Sequence, residues 1–181
     1  MSPQPPYDSN RSPPIRRYVI ALIAVLALVA VAVPAFATTP VNVPKKFKKF
    51  IPKVKKKSHL AVRLPQRLYP GIKTYPAAVI KKHSYELELS AAKNCHFATA
   101  CFIASFAGEL GGTPSFKKQV KLAHGITGYF HRITCGASCA PSFIQWQENG
   151  VLYTIQNKAP GKHEKRNMIK LANSAIRHGD R

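Results

Sequence analysis

Four cysteines are the residues whose spacing most clearly permits chemistry in this chain. They form two close pairs, Cys95 with Cys101 and Cys135 with Cys139. Outside the cytoplasm an even number of cysteines predicts disulfides, and of the three possible connectivities we predict the two local ones, because each pair brackets a short, turn-like segment. Loops this short constrain the unfolded chain by only about 2 kcal/mol each. We therefore expect the disulfides mainly to fix loop geometry.

Two other cysteine chemistries fit less well. A four-cysteine zinc site usually has C-x2-4-C spacing in both pairs, whereas five residues separate Cys95 from Cys101. A redox-active pair would need C-x-x-C spacing, which the sequence lacks. The zinc interpretation gains weight if the domain faces the cytoplasm. For an exported domain we predict no metal and no cofactor.

Candidate catalytic residues are few. The sequence contains none of the short motifs of serine hydrolases, zinc peptidases, P-loop proteins or dinucleotide-binding proteins, and its seven histidines have no metal-binding spacing. We predict no catalytic residue and a protein that is not an enzyme. The alternative is a secreted hydrolase with a site assembled from loops, which would require Glu86, His96, His131 and Ser138 to share a deep polar pocket.

A lysine cluster is the strongest charge feature. Eight of the thirteen residues from 45 to 57 are lysine: Lys45, Lys46, Lys48, Lys49, Lys53, Lys55, Lys56 and Lys57. Pro44 and Pro52 discourage a continuous helix. We therefore predict that residues 38–58 form a flexible Lys-rich linker, a disordered basic tether in front of the folded domain.

The lysines predict an anionic partner, which we expect to be a membrane or a cell-wall polymer. Each basic residue near anionic lipid is worth about 1 kcal/mol. Apolar residues interleaved with the lysines favour a membrane slightly, because they could enter its interface. The alternative is a solvated linker without a partner. The formal net charge of +21 attracts polyanions without choosing among them, and for an exported chain we predict no specific nucleic acid partner.

The first 37 residues indicate export. Arg16 and Arg17 precede an uncharged segment, residues 18–37, whose end at Ala35-Phe36-Ala37 is typical of a signal-peptide cleavage site. We predict a signal peptide over residues 1–37. The alternative is an N-terminal membrane anchor, since 20 uncharged residues are long enough to span a bilayer. The lysine cluster opposes that orientation for a retained helix, so we expect an extracytoplasmic protein, secreted or periplasmic, with anchoring through residues 18–37 as the alternative.

The elements that position these residues follow from hydrophobic periodicity. Tyr85, Leu87 and Leu89 alternate with Glu86 and Glu88, which predicts a half-buried strand with both glutamates on its solvated face. Other predicted strands cover residues 60–64, 100–107, 119–122 and 128–133, and residues 65–76 are expected to be loop.

The most specific local pattern is a hairpin over residues 143–156. Asn149-Gly150 is the favoured pair for a two-residue type I′ turn. That turn pairs Trp146 with Tyr153 and puts the apolar side chains of both strands on one face.

A helix follows the hairpin. It is indicated by apolar residues at helical spacing, namely Met168, Ile169, Ala172, Ala175 and Ile176. The predicted fold class is α+β, with an antiparallel sheet of five or six strands and one C-terminal helix packed on it. This domain is expected to cover residues 59–181, preceded by an N-terminal apolar helix and the basic tether.

Residues 60–176 carry a resemblance to a group of proteins. The segments concerned are Cys135-Gly-Ala-Ser-Cys-Ala-Pro141, Ile144-Gln-Trp-Gln-Glu-Asn-Gly-Val-Leu-Tyr-Thr-Ile155 and Leu171-Ala-Asn-Ser-Ala-Ile176. Together they resemble exported bacterial proteins of unknown function. The resemblance implies a small extracytoplasmic α+β domain and assigns no catalytic residue.

Overall fold

The computed structural model describes residues 40–181, and it is built on a seven-stranded antiparallel sheet. In chain order the strands are β3 (Tyr75–Ile80), β4 (Ser84–Ser90), β5 (Phe102–Leu110), β6 (Gln119–Lys121), β7 (Thr127–His131), β10 (Ser142–Glu148) and β11 (Val151–Asn157). Their order in the sheet is β3-β4-β5-β11-β10-β7-β6. The predicted signal peptide or anchor lies outside the described residues.

Smaller elements complete the chain. Two short antiparallel pairs join β1 (Val41–Asn42) to β2 (Arg67–Leu68) and β8 (Thr134–Cys135) to β9 (Cys139–Ala140). The helices are α1 (Val43–Phe47), α2 (Ile51–Ser58) and α3 (Glu164–Arg177), with a 3-10 turn at Ala123–Gly125. The antiparallel sheet and the C-terminal helix are thus confirmed, with seven strands in the main sheet rather than five or six, and two further helices precede the sheet.

The hairpin β10–β11 has the predicted turn and register. Asn149 and Gly150 both have positive φ, 52° and 73°, as a type I′ turn requires. Trp146 pairs with Tyr153, and their rings stack with centroids 5.4 Å apart. Both side chains are buried on the inner face of the sheet, so they serve as a core pair.

The lysine segment is folded, and the predicted flexible linker over residues 38–58 is wrong from Val41 onward. Val43, Phe47 and Val54 are fully buried in the core shared with the sheet. The Phe47 ring contacts the Phe106 ring of β5 edge-to-face, with centroids 6.0 Å apart. The folded domain therefore includes residues 41–58 and does not begin at residue 59.

The two prolines begin helices instead of preventing them. Pro44 and Pro52 each occupy the first turn, where a helix needs no N–H donor and the fixed φ of proline suits the geometry. Asn42 caps α1 by accepting a hydrogen bond from the Lys45 N–H at 2.9 Å. The prolines thus divide one basic segment into two short helices.

The strip of residues 60–64 is extended but forms no ladder with a strand, so its predicted strand is absent. The side chains do alternate between buried and partly exposed positions, and Leu60, Val62 and Leu64 are the buried ones. The strip crosses the inner face, where the hydroxyls of Tyr85 on β4 and Tyr153 on β11 both donate to the Ala61 carbonyl. Side chains and the Arg181 N–H, which donates to the Val62 carbonyl, therefore bond this backbone in place of a neighbouring strand.

A glycine makes the crossing possible. Gly108 on β5 lies between Tyr85 and Tyr153 in the sheet register. A Cβ at this position would come within 2.6 Å of the Tyr85 ring, so a larger residue at position 108 would displace that ring. Burial of Tyr85 also raises the pKa of its hydroxyl above the ordinary value, which keeps the group neutral and able to donate.

The helix α3 covers the other part of the inner face and matches the sequence prediction. Met168, Ala172, Ala175 and Ile176 are its buried residues, and it packs against β10 and β11. The helix ends at Arg177, and Gly179, with φ of 66°, follows the C-cap residue His178 as is typical of a helix C-terminus.

We predict that Phe47→Ala lowers the free energy of unfolding by about 3–5 kcal/mol, because it leaves a cavity between α1 and β5. Urea denaturation of the purified protein measures this. Lys48→Ala, at an exposed neighbouring position, is the control and should change stability by less than about 0.5 kcal/mol. A loss at Phe47 as small as that at Lys48 would mean that the lysine segment does not pack on the sheet.

Candidate functional site

The lysine segment presents most of its charge to solvent. Seven of the eight lysines are exposed, and Lys55 is the one of these that is paired with a carboxylate. We call the other six the lysine surface: Lys45, Lys48, Lys49, Lys53, Lys56 and Lys57. Lys45, Lys53, Lys56 and Lys57 are exposed because Val43, Phe47 and Val54 form the buried faces of the two helices. Lys48 and Lys49 lie in the turn between the helices. The same short segment therefore covers the core and displays a cationic surface.

The other two lysines help to hold the segment in place. Lys46 Nζ donates to the Thr74 carbonyl at 2.9 Å, and Lys55 Nζ lies 2.9 Å from Asp180 Oδ2. Partial burial tends to raise the pKa of Asp180, but hydrogen bonds from Lys55 and from the Val62 N–H outweigh it and lower the pKa. Lys46 and Lys55 thus differ from the lysine surface in having protein partners.

The apolar residues between the lysines pack on the core of the domain. Phe47 and Val54 are fully buried, while Phe50 and Ile51 are half-buried against the core. Phe47 and Val54 therefore have no surface left to enter a lipid interface, because the core already uses them.

A different pair of apolar residues is exposed on a loop that is bonded to the lysine segment. Tyr69 and Ile72, in the loop between β2 and β3, are 58% and 51% exposed. The loop turns at Gly71, with φ of 73°, and its last residue, Thr74, is the one bonded by Lys46. This places two exposed apolar side chains on a loop that is tied to α1.

Both predicted local disulfides are present. Cys95 bonds to Cys101 in the loop between β4 and β5, and Cys135 bonds to Cys139 across the small β8–β9 hairpin. The two loops border a cleft of about 260 Å³ on the outer face of the sheet, which we call the disulfide cleft. Its lining includes Glu86, Glu88, Phe97, Cys139 and Lys158.

Glu88 is not on a solvated face, and this prediction is wrong. Its side chain is on the outer face of β4, but the disulfide loop covers it and leaves the residue 2% exposed. Glu88 Oε1 accepts a hydrogen bond from the Phe97 N–H at 2.7 Å. Phe97 itself has φ of 59°, which a bulky residue rarely adopts, so the bond holds a strained turn of the loop against the sheet.

Burial raises the pKa of Glu88 above its ordinary value of 4.5. The hydrogen bond from Phe97 opposes this effect, the nearby carboxylate of Glu86 adds to it, and His96 opposes it. The alternation that predicted the strand is correct, since Tyr85, Leu87 and Leu89 are buried on the other face. Sequence periodicity assigns a face but does not show which loop returns to cover it.

The four residues required for a hydrolase site are separated. Of these, only Glu86 lines the disulfide cleft. His96 Nδ1 is 2.9 Å from the Ser90 hydroxyl, which is fully buried. His131 packs against Phe116, with ring centroids 4.6 Å apart, and Ser138 is exposed in the β8–β9 turn. The described structure therefore supplies no specific support for the hydrolase alternative.

Within residues 40–181, no group of three or more His, Cys, Asp or Glu side chains is arranged to hold a metal ion. In the same part of the chain, no helix combines the length and the hydropathy needed to cross a bilayer.

Comparison with known proteins gives no family or fold relative. The sequence matches no protein-family model, no curated protein and no solved structure at a significant level. The candidate sites are therefore the lysine surface and the disulfide cleft as their own geometry defines them.

Replacing Glu88 by Gln should increase stability at neutral pH and not at acid pH. Because the pKa of Glu88 is raised in the folded protein, the native state binds its proton more tightly, and stability decreases as the pH rises above about 4.5 toward the folded pKa. Gln keeps an acceptor for the Phe97 N–H and carries no charge. Urea denaturation at several pH values from 4 to 7 should show a stabilisation by Glu88→Gln that grows with pH.

The control for this series is Glu109→Gln, at an exposed position on the same face of the sheet. Its effect should stay within about 0.5 kcal/mol at every pH. If the difference in unfolding free energy between Glu88→Gln and the native protein does not vary with pH, the raised pKa of Glu88 does not determine stability.

Proposed function

We propose that this protein is an exported, non-enzymatic protein of the cell envelope that binds an anionic membrane surface through the lysine surface. The observation that supports this most directly is the exposure of the six lysines of the lysine surface on the folded segment formed by α1, α2 and the turn between them. No Asp or Glu occurs between Val41 and Ser58 to compensate them. An uncompensated cationic face of this kind attracts anionic lipid headgroups.

The folded state of the segment strengthens this proposal. A disordered tether would lose backbone entropy whenever it was held against a surface, whereas α1 and α2 have already been ordered by packing on the sheet. On binding to a surface, the lysines would therefore lose only side-chain freedom. The binding is therefore electrostatic, with a strong dependence on salt.

Exposed apolar residues favour a membrane over a cell-wall polymer. Tyr69 and Ile72 lie on a loop joined to α1 through the bond between Lys46 and Thr74. Lys73 is also exposed on this loop. Aromatic and aliphatic side chains beside lysines are typical of surfaces that enter the headgroup region.

The disulfides support a location outside the cytoplasm. Two bonded pairs, Cys95–Cys101 and Cys135–Cys139, are typical of proteins that fold in a non-reducing environment. The predicted signal peptide over residues 1–37 agrees with this location. Together they favour an extracytoplasmic protein, secreted, periplasmic or anchored.

Removing lysines from the lysine surface should abolish membrane binding. We expect the quadruple variant Lys48→Ala, Lys49→Ala, Lys56→Ala and Lys57→Ala to bind vesicles containing phosphatidylserine much more weakly than the native protein. At about 1 kcal/mol per lysine the loss in partitioning at low salt is about three orders of magnitude. Co-sedimentation with vesicles measures it.

The matched control removes the same charge from another surface. Lys162, Lys165, Arg166 and Lys170 are exposed at the start of the C-terminal helix, and their quadruple alanine variant has the same net charge. It should bind vesicles nearly as well as the native protein. Equal losses in both variants would show that net charge alone governs binding. Retention on purified cell walls that requires the lysine surface, without binding to vesicles, would assign the partner to a wall polymer instead.

A further inference from the structure

A second concentration of positive charge lies in a groove of about 610 Å³ between α3 and the edge of the sheet formed by β6 and β7. We call it the cationic groove. Six basic side chains line it: Lys118, Arg132, Lys162, Lys165, Arg166 and Lys170. All six are exposed, and His163 lies among them.

The one carboxylate that lines the described groove is already committed to the fold. Glu164 Oε1 accepts hydrogen bonds from the Ile133 N–H and from the Ser142 hydroxyl. Its Oε2 lies 3.8 Å from Arg132 Nε, and the Glu164 side chain is only 15% exposed. Glu164 thus offsets at most one of the six cations, and the others remain uncompensated.

The groove has an apolar floor and extends beyond α3. Phe130 is 4% exposed, and Ile169 is half-buried against the core. Lys118, Phe130 and Arg132 also line an adjoining cavity of about 340 Å³ that reaches Phe116. The two cavities therefore share three lining residues at the sheet edge.

The cationic groove is separate from the lysine surface. α1 and α2 pack on β3 and β4, at one side of the sheet, whereas Arg132 and Lys118 adjoin β7 and β6 at the other. Five strand spacings lie between β3 and β7, which is about 24 Å. This distance is about three Debye lengths at physiological ionic strength, so the lysine surface adds little to the binding of a ligand at the Lys118 and Arg132 end of the groove.

We propose that the cationic groove binds a linear polymer of phosphate groups. Positive side chains from α3 and from the sheet edge border the groove, so they can contact successive phosphates of one chain. Arg132 and Arg166 can each bind a phosphate with two parallel hydrogen bonds, while the lysines supply point charges. A flat membrane cannot reach the floor of such a groove, but a single polymer chain can.

The aromatic residues near the groove favour phosphate chains without bases. Phe116 packs on His131 and on Phe143, with centroids 4.6 and 5.2 Å away, and Phe130 is buried. These rings contact one another and are no more than half exposed. Binding of single-stranded nucleic acid would use exposed rings for base stacking.

The test uses the full-length protein and fluorescently labelled inorganic polyphosphate, with binding measured by anisotropy. Lys162→Ala, Lys165→Ala, Arg166→Ala and Lys170→Ala together should weaken binding by about tenfold or more and reduce the slope of log K against log salt. The quadruple variant of the lysine surface has the same net charge and should change binding less than about threefold. Equal weakening in both variants, or none in either, would overturn the proposal.

Two further arms sharpen the result. Lys170→Glu alone should weaken polyphosphate binding without altering the melting temperature, because the residue is exposed; an unchanged affinity would count against the groove. An oligonucleotide of equal charge should bind no more tightly than polyphosphate, and tighter binding would reassign the groove to nucleic acid. Vesicle binding is measured separately on the same variants, so either proposal can fail while the other stands.

Discussion

The width of the sheet is the constraint on which the rest of the structure depends. Seven strands span about 29 Å across their six spacings, whereas one α-helix with its side chains is only about 10–12 Å wide. The C-terminal helix α3 packs on β10 and β11 and leaves the inner face of β3, β4 and β5 without a helix of its own. Leaving Leu87 and Phe106 of this face exposed to water would be costly in free energy. The chain covers them with α1, α2 and the strip 60–64, so the lysine segment must fold.

That cover explains how a segment so rich in lysine can be ordered. Burial of Val43, Phe47 and Val54 opposes the mutual repulsion of the lysines, and the two prolines divide the segment where one helix ends and the next begins. Lys55 is neutralised by Asp180 near the C-terminus, which also accepts a hydrogen bond from the Val62 N–H. The charge that remains is displayed at one side of the sheet, and α3 with β6 and β7 displays a second set at the other. The fold thus separates two cationic regions that composition alone would count as one.

The outer face of the sheet differs from the inner face, because disulfide-bonded loops cover part of it and helices do not. The loop closed by Cys95 and Cys101 lies over β4 and takes Glu88 out of solvent, with the Phe97 N–H as its partner. The bond between Cys135 and Cys139 stabilises the hairpin that forms the other border of the cleft. The loops therefore determine the environment of Glu88, whereas the strand only determines the direction in which its side chain points.

The sequence by itself determined the features that depend on neighbours in the chain. The turn at Asn149-Gly150, the register that pairs Trp146 with Tyr153, the helix α3 and the two local disulfides all follow from turn chemistry, periodicity or short spacing. Only the tertiary structure decided that residues 41–58 are folded and contain two helices, that the strip 60–64 pairs with no strand and that Glu88 is buried. Each of these features depends on which distant segment covers which face of the sheet. An amphipathic pattern predicts which side of an element is buried, but it does not predict the segment that packs there. The long-range contacts between the sheet and its covering segments are therefore what converted a basic sequence into two defined cationic regions.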